Sequence, residues 1–174
     1  FIVNENFNRD KLIEFKDANF LLVKDVLFAL QIVTAFHRKQ FTIPIIGITG
    51  SNGKTIVKEW LYQLLNNNYN IVRSPKSYNS QIGVPLSVWQ INAGHQLGIF
   101  EAGISQQNEM QWLQKIIEPT IGVFTNIGEA HSEGFLNIRQ KINEKLKLFL
   151  HSKLLIYCAD NPEVNSAVGT FANN

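Results

Sequence analysis

Phe41-Thr-Ile-Pro-Ile-Ile-Gly-Ile-Thr49 leads directly into Gly50-Ser51-Asn52-Gly53-Lys54-Thr55, and a periodic segment from Lys54 to Leu65 follows. The first part is an almost unbroken apolar run, as expected of a parallel strand covered on both faces. The periodic part has helical spacing. Strand, glycine turn and helix in that order are the setting in which backbone N–H groups and a helix N-terminus collect around an anion. In that setting Lys54 reaches the outer phosphates of a nucleotide and the Thr55 hydroxyl binds Mg2+. The general phosphate-loop pattern places glycine five residues before Gly53; Ile48 stands there, and the glycines are Gly47 and Gly50 instead. An ordinary strand-to-helix turn that contains Gly-Lys-Thr is the competing reading.

Outward from this loop the pattern repeats. A helix is expected over Lys24 to His37, with Val26, Leu27, Leu30, Val33 and Phe36 on its apolar face. Short strands are expected at Ile71–Arg73, Leu97–Glu101, Thr120–Thr125 and Lys153–Cys158. Helices are expected at Ile82–Trp89, Asn108–Ile117 and Ile138–Phe149. The first twenty residues carry no clean periodicity. Alternating strands and helices predict an α/β fold with a mainly parallel sheet and helices on both faces. Ligands of such sheets bind beyond the carboxyl ends of the strands. Residues just after Thr49, Arg73, Glu101 and Thr125 are therefore the ones to weigh.

Glu101 ends one such strand, and a carboxylate there holds Mg2+ directly or through water, or is a solvated loop acid. His131 lies in the polar segment Thr125-Asn-Ile-Gly-Glu-Ala-His131-Ser-Glu-Gly-Phe135; a loop histidine is commonly surface decoration, but this one follows a core strand at the same sheet edge. Asn79 and Ser80 precede a helix, where they either cap it or contact a phosphate or substrate oxygen. Lys145 is the odd residue of its helix. With about 100° per residue from Ile138, it falls near −20°, inside the stripe of Ile142, Leu146 and Phe149. Lysine is rarely buried without a partner. Snorkelling of the ammonium to water is one explanation, and periodicity alone leans that way. A modified or metal-linked lysine is the other: a desolvated amine loses its proton readily, and the neutral amine takes up CO2 to become a carbamate.

The 174-residue length and 45% hydrophobic content suit one domain or slightly more, with a real core, and exclude a wholly disordered chain. A net charge of +2 asks for no nucleic-acid partner. The single cysteine, Cys158, excludes an internal disulfide and fits a reducing compartment. The most apolar stretch, Asn19 to Phe36, is broken by Lys24, Asp25 and Gln31, so no membrane insertion is expected, and no signal peptide is visible.

The motifs together resemble the Mur ligases, ATP-dependent amide-forming enzymes of peptidoglycan synthesis, over roughly Leu21 to Asp160. The phosphate loop Thr49–Thr55, the loop Tyr78-Asn-Ser-Gln-Ile-Gly-Val-Pro-Leu86 and the segment Thr125–Phe135 carry the likeness, most of all to the branch that adds D-alanyl-D-alanine. The resemblance implies a cytoplasmic ligase that takes ATP, UDP-MurNAc-tripeptide and D-Ala-D-Ala and works through an acyl phosphate. It implies that Gly50, Ser51, Asn52, Gly53, Lys54 and Thr55 hold ATP. Thr55 and Glu101 would serve one Mg2+ and His131 a second. Lys145, eleven residues after Gly134, aligns with the family's carbamylated, metal-linked lysine. Lys54, His131 and Lys145 would be the catalytic set. Asn79 matches the first of two substrate-binding asparagines, and Ser80 replaces the second. The wording around Ser74 to Trp89 and Asn143 to Phe149 is similar to a variant fused to alanine racemase, whose pyridoxal phosphate would lie outside this chain.

By the same resemblance, residues 1–20 are expected to be a remnant of the UDP-substrate domain and 21–174 part of the central ATP-binding domain, with the C-terminal domain absent. The fragment itself would then only bind nucleotide. Three alternatives stay open at this level: another Mur or folylpolyglutamate synthase-like ligase, a P-loop kinase, and a nucleotide-binding module without catalysis.

Overall fold

The computed structural model describes residues 1–128 and 133–172. Among these residues five strands form one parallel sheet: β3 (Ile45–Thr49), β4 (Ile71–Arg73), β5 (Leu97–Glu101), β6 (Ile121–Phe124) and β7 (Leu154–Tyr157), in the order β4-β5-β3-β6-β7. β3 is central, with Ile46 opposite Ile99 on one side and Ile121 on the other. Every residue of β3 and β5 is buried, which is why their sequences read as continuous rather than alternating apolar runs.

The helix placement follows from chain direction. After β3 the chain passes over β5 to the edge strand β4 through α3 (Lys54–Leu65). It then returns across the sheet, through α4 (Gly83–Val88), α5 (Met110–Ile117) and α6 (Ile138–Leu146). Parallel crossovers are right-handed, so reversing the direction changes the face. Accordingly α3 packs Val57, Leu61 and Leu65 on Ile46, Ile48, Leu97 and Ile99. The larger core, on the other face, gathers Val84, Val88, Leu113, Ile117, Ile142 and Phe149 around Ile45, Phe100 and Phe124. A three-residue 3-10 turn, Lys147–Phe149, extends α6, and α7 (Pro162–Ala172) adds Val164, Ala167 and Val168 to this core.

Ahead of the sheet lies α2 (Val26–Arg38), capped by the Asp25 side chain, which accepts from the Phe28 N–H at 2.9 Å. Arg38 at its end is buried and donates to the carbonyls of Phe41, Ile117 and Glu118, tying α2 to the end of α5. The first residues form β1 (Ile2–Asn4) and a short helix α1 (Arg9–Ile13), and β1 pairs in parallel with β2 (Leu21–Val23). This small sheet draws on both sides of the expected division after residue 20.

The expected elements are all present, most of them shortened. The strand expected from Phe41 begins at Ile45, because Pro44 has no N–H to give to a ladder. The helix expected from Asn108 begins at Met110, because Asn108 takes a left-handed φ of 65°. β1, α1, β2 and α7 had no counterpart in the periodicity: three of them are five residues or fewer, and α7 is exposed on most of its surface.

Candidate functional site

The phosphate loop leaves β3 at Thr49, whose hydroxyl donates to the Ala102 carbonyl at 2.8 Å and so joins the exits of β3 and β5. Gly50 follows with φ 149°, and a Cβ there would meet Thr125 Oγ1 at 2.0 Å. Gly53 caps α3 with φ 80°. Both positions require glycine, one for close approach and both for backbone angle. The loop is held from the β6 side: Ser51 N–H donates to the Asn126 carbonyl, Asn52 N–H to Asn126 Oδ1, and the Thr125 hydroxyl to the Asn52 carbonyl at 2.6 Å. Ser51 Oγ exchanges hydrogen bonds with the Gly128 backbone. The segment after β6 is thus the wall on which the loop is built.

Two lysines converge on this loop. Lys54 Nζ donates to the carbonyls of Gly50, at 2.9 Å, and Ser51, at 3.3 Å. Lys145 Nζ donates to the same Gly50 carbonyl at 3.2 Å. Lys145 is only 2% exposed, so the snorkelling explanation is overturned: α6 carries the ammonium into the sheet edge rather than out to water. Burial, and then the neighbouring charges of Lys54 and Lys141, push its pKa down to about 7. Lys54 is lowered too, chiefly by burial; Glu101 opposes this and Lys141 adds to it. Lys141, one turn before Lys145 and also buried, donates to the Gly128 carbonyl at 2.6 Å.

Glu101 is wholly buried at the end of β5, which removes the solvated-acid reading. Its Oε2 accepts from the Thr55 hydroxyl at 3.1 Å. Among the described residues its Oε1 has no aligned hydrogen-bond donor; it stands 2.9 Å from Lys58 Nζ, itself wholly buried. The carboxylate and the Thr55 hydroxyl, side by side at Oε2, make a hard-oxygen donor set at the mouth of a phosphate loop. That suits Mg2+, which binds one or two protein oxygens and completes its shell with water and phosphate. Among the described residues no group of three or more His, Cys, Asp or Glu forms a self-sufficient metal cage.

Beside the loop opens a cavity of about 330 Å³, lined by Gly50, Lys54, Lys145, Asn79, Ser80, Gln81, Gly103 and Glu109 among others. Asn79 is fixed through its carbonyl, which accepts from the Gly103 N–H at 2.8 Å. The Ser80 hydroxyl accepts from the Gly83 N–H at 3.1 Å, so this side chain caps the start of α4 while lining the cavity. His131 lies outside the described residues. Of the residues picked from the sequence, the structure therefore brings together Gly50 to Thr55, Asn79, Ser80, Glu101 and Lys145. Lys58 and Lys141 were missed. Each lies one helical turn from a residue that was chosen, Lys54 and Lys145, and that i, i+4 relation was the available signal.

Residues 48–174 match the Mur ligase middle domain. The UDP-N-acetylmuramoyl-tripeptide–D-alanyl-D-alanine ligase of Treponema pallidum is 42% identical over 128 residues, 73% of this chain and 28% of that protein. The ligase of the same name from Bacillus subtilis is 34% identical over 151 residues, 84% of this chain and 33% of that protein. The MurF ligase of Thermotoga maritima, solved in complex with ADP, superposes with a TM-score of 0.80 at 28% identity, over 89% of this chain and 37% of that one. The chain thus spans about a third of the length of these relatives. Phosphate loop, buried acid, buried lysine and matched sequence agree: the chain belongs to the Mur ligase family.

Proposed function

We propose that this chain is the nucleotide-binding core of an ATP-dependent carboxylate–amine ligase that joins D-Ala-D-Ala to UDP-MurNAc-tripeptide. The observation that carries this reading is the convergence of Lys54 and Lys145 on the Gly50 carbonyl, beside the Thr55–Glu101 pair and the cavity. Such a cluster puts cationic charge and backbone donors where a γ-phosphoryl group is transferred. The substrate carboxylate attacks that group, giving an acyl phosphate and ADP; the amine then displaces phosphate and leaves an amide. The protein's part is positioning and charge neutralisation.

In this reading the Gly50–Thr55 backbone and Lys54 hold the phosphates, and Asn79 and Ser80 face the acid substrate across the cavity. Thr55 and Glu101 would hold one Mg2+, and His131 with a carbamylated Lys145 a second; their positive charge would offset that of the phosphoryl oxygens. The lowered pKa of Lys145 supports the carbamate, because the neutral amine that adds CO2, releasing a proton, is well populated at neutral pH. We assign residues 1–20 to a remnant of the UDP-substrate domain and 21–174 to part of the central domain. ATP and a UDP-linked acid are cytoplasmic metabolites, so the reaction is assigned to the cytoplasm. No helix among the described residues is long and apolar enough to cross a membrane.

The test is phosphate release by the full-length protein with MgATP, UDP-MurNAc-tripeptide and D-Ala-D-Ala, each omitted in turn. Release that needs all three is expected. Release with another acid or amine moves the protein within the family, and no release with any pair leaves a nucleotide-binding module.

A further inference from the structure

The most unusual group that this mechanism leaves unused is Lys58. It is a lysine with no exposed surface, on the second turn of α3. Its ammonium has three N–H donors, and four oxygens crowd it. The Ser74 carbonyl accepts at 2.8 Å, the Lys76 carbonyl accepts as well, and Glu101 Oε1 lies 2.9 Å away. Glu59 Oε1, at 3.2 Å, completes the contacts from the outer side. Lys76 holds a left-handed φ of 47°, which L-residues generally avoid. Ser74 also meets Glu101 directly, its hydroxyl accepting from the Glu101 N–H at 3.1 Å.

A buried ion pair is by itself a poor source of stability, because desolvation cancels most of the attraction. What it supplies is geometry. Lys58 takes one carboxylate oxygen, Oε1, and leaves Oε2 at the Thr55 hydroxyl, on the side of the phosphate loop. The same ammonium fixes the backbone of 74–76, which leads into Asn79. The geometry points to Lys58 as a positioning residue: it sets which oxygen of Glu101 meets Mg2+ and locks the start of the 74–80 loop to the phosphate-loop helix. This rests on the reading of Glu101 as a metal ligand.

The experiment is calorimetric titration of the full-length protein with ATP, once in EDTA and once in excess Mg2+. The gain in affinity on adding Mg2+ is the quantity read. Lys58→Met is expected to cut that gain about tenfold, with affinity for metal-free ATP as in the wild type. In a Glu101→Gln background the same substitution should leave the gain unaltered, since the charged carboxylate it orients is gone. A wild-type gain in Lys58→Met, or an equal further loss in the Glu101→Gln background, overturns the assignment. If Lys58→Met does not fold, Lys58→Gln, which keeps a donor for the Ser74 and Lys76 carbonyls, carries the same test, and a wild-type gain there overturns it too. A wild-type protein whose ATP affinity does not rise with Mg2+ contradicts the metal reading of Glu101 itself. A wild-type gain that survives substitution of Lys58 contradicts only the role of Lys58.

Discussion

Replacing Lys145 by methionine removes a buried charge while keeping an unbranched side chain of similar reach. The ordinary lysine pKa of 10.5 falls to about 7 in the folded chain. A lysine whose folded pKa is depressed binds fewer protons folded than unfolded between those two values. Stability therefore rises with pH from about 7 upward, and below pH 7 the full cost of burying the ammonium is present. Integrating the proton difference from pH 6 to pH 9 gives the wild type about 2.7 kcal/mol that the variant does not gain. Any packing loss from the shorter side chain is independent of pH and cancels in that difference. The assay is urea unfolding followed by tryptophan fluorescence, for wild type and Lys145→Met, at several pH values in CO2-free buffer. Excluding CO2 keeps carbamate from competing with the free amine. The difference in unfolding free energy between the two proteins should shift by about 2–3 kcal/mol in favour of the wild type from pH 6 to pH 9. A difference that stays flat refutes the argument that desolvation beside Lys54 and Lys141 governs this lysine.

Other substitutions separate the parts of the site. Lys54→Ala should weaken MgATP binding by about tenfold or more, the loss of a charged hydrogen-bond donor; unchanged affinity in a calorimetric titration would refute the phosphate-loop assignment. Gly50→Ala forces a Cβ to within 2.0 Å of Thr125 Oγ1. It should therefore abolish measurable MgATP binding while circular dichroism shows the sheet and helices in place. Lys145→Ala in the full-length enzyme should stop phosphate release, and added short carboxylic acids should restore part of it by occupying the place of the carbamate. Arg38→Met strands the Ile117, Phe41 and Glu118 carbonyls. It should lower stability by about 2–4 kcal/mol in urea titration without touching the site.

Much of this molecule is legible in its sequence, and the reason is local. Continuous apolar runs at Ile45–Thr49 and Leu97–Glu101 leave no solvated face, so they can only be inner strands of a covered parallel sheet. Gly50 and Gly53 are needed for backbone angles that are properties of the turn itself. Lys145 betrayed itself by sitting in an apolar stripe. Sequence could not say whether its ammonium escapes to water, because that depends on what lies over the stripe. The answer is the phosphate loop, 95 residues earlier in the chain, whose Gly50 carbonyl receives it.

Lys58 marks the other limit. Within α3 its place one turn after Lys54 is the only local mark it carries, and that spacing does not tell a buried lysine from a solvated one. It becomes buried and paired only because β5 places Glu101 next to β3, and the end of β4 brings the Ser74 carbonyl to it. The sequence by itself determined the α/β alternation, the phosphate loop and the strand ends on which chemistry gathers, since these rest on periodicity and backbone conformation within a few residues. Strand order, the position of α3 on the face opposite α4, α5 and α6, and the partners of Lys58, Lys141 and Lys145 were decided by tertiary structure. They are contacts between segments far apart in the chain, and local periodicity carries no information about which distant oxygen will meet a buried ammonium.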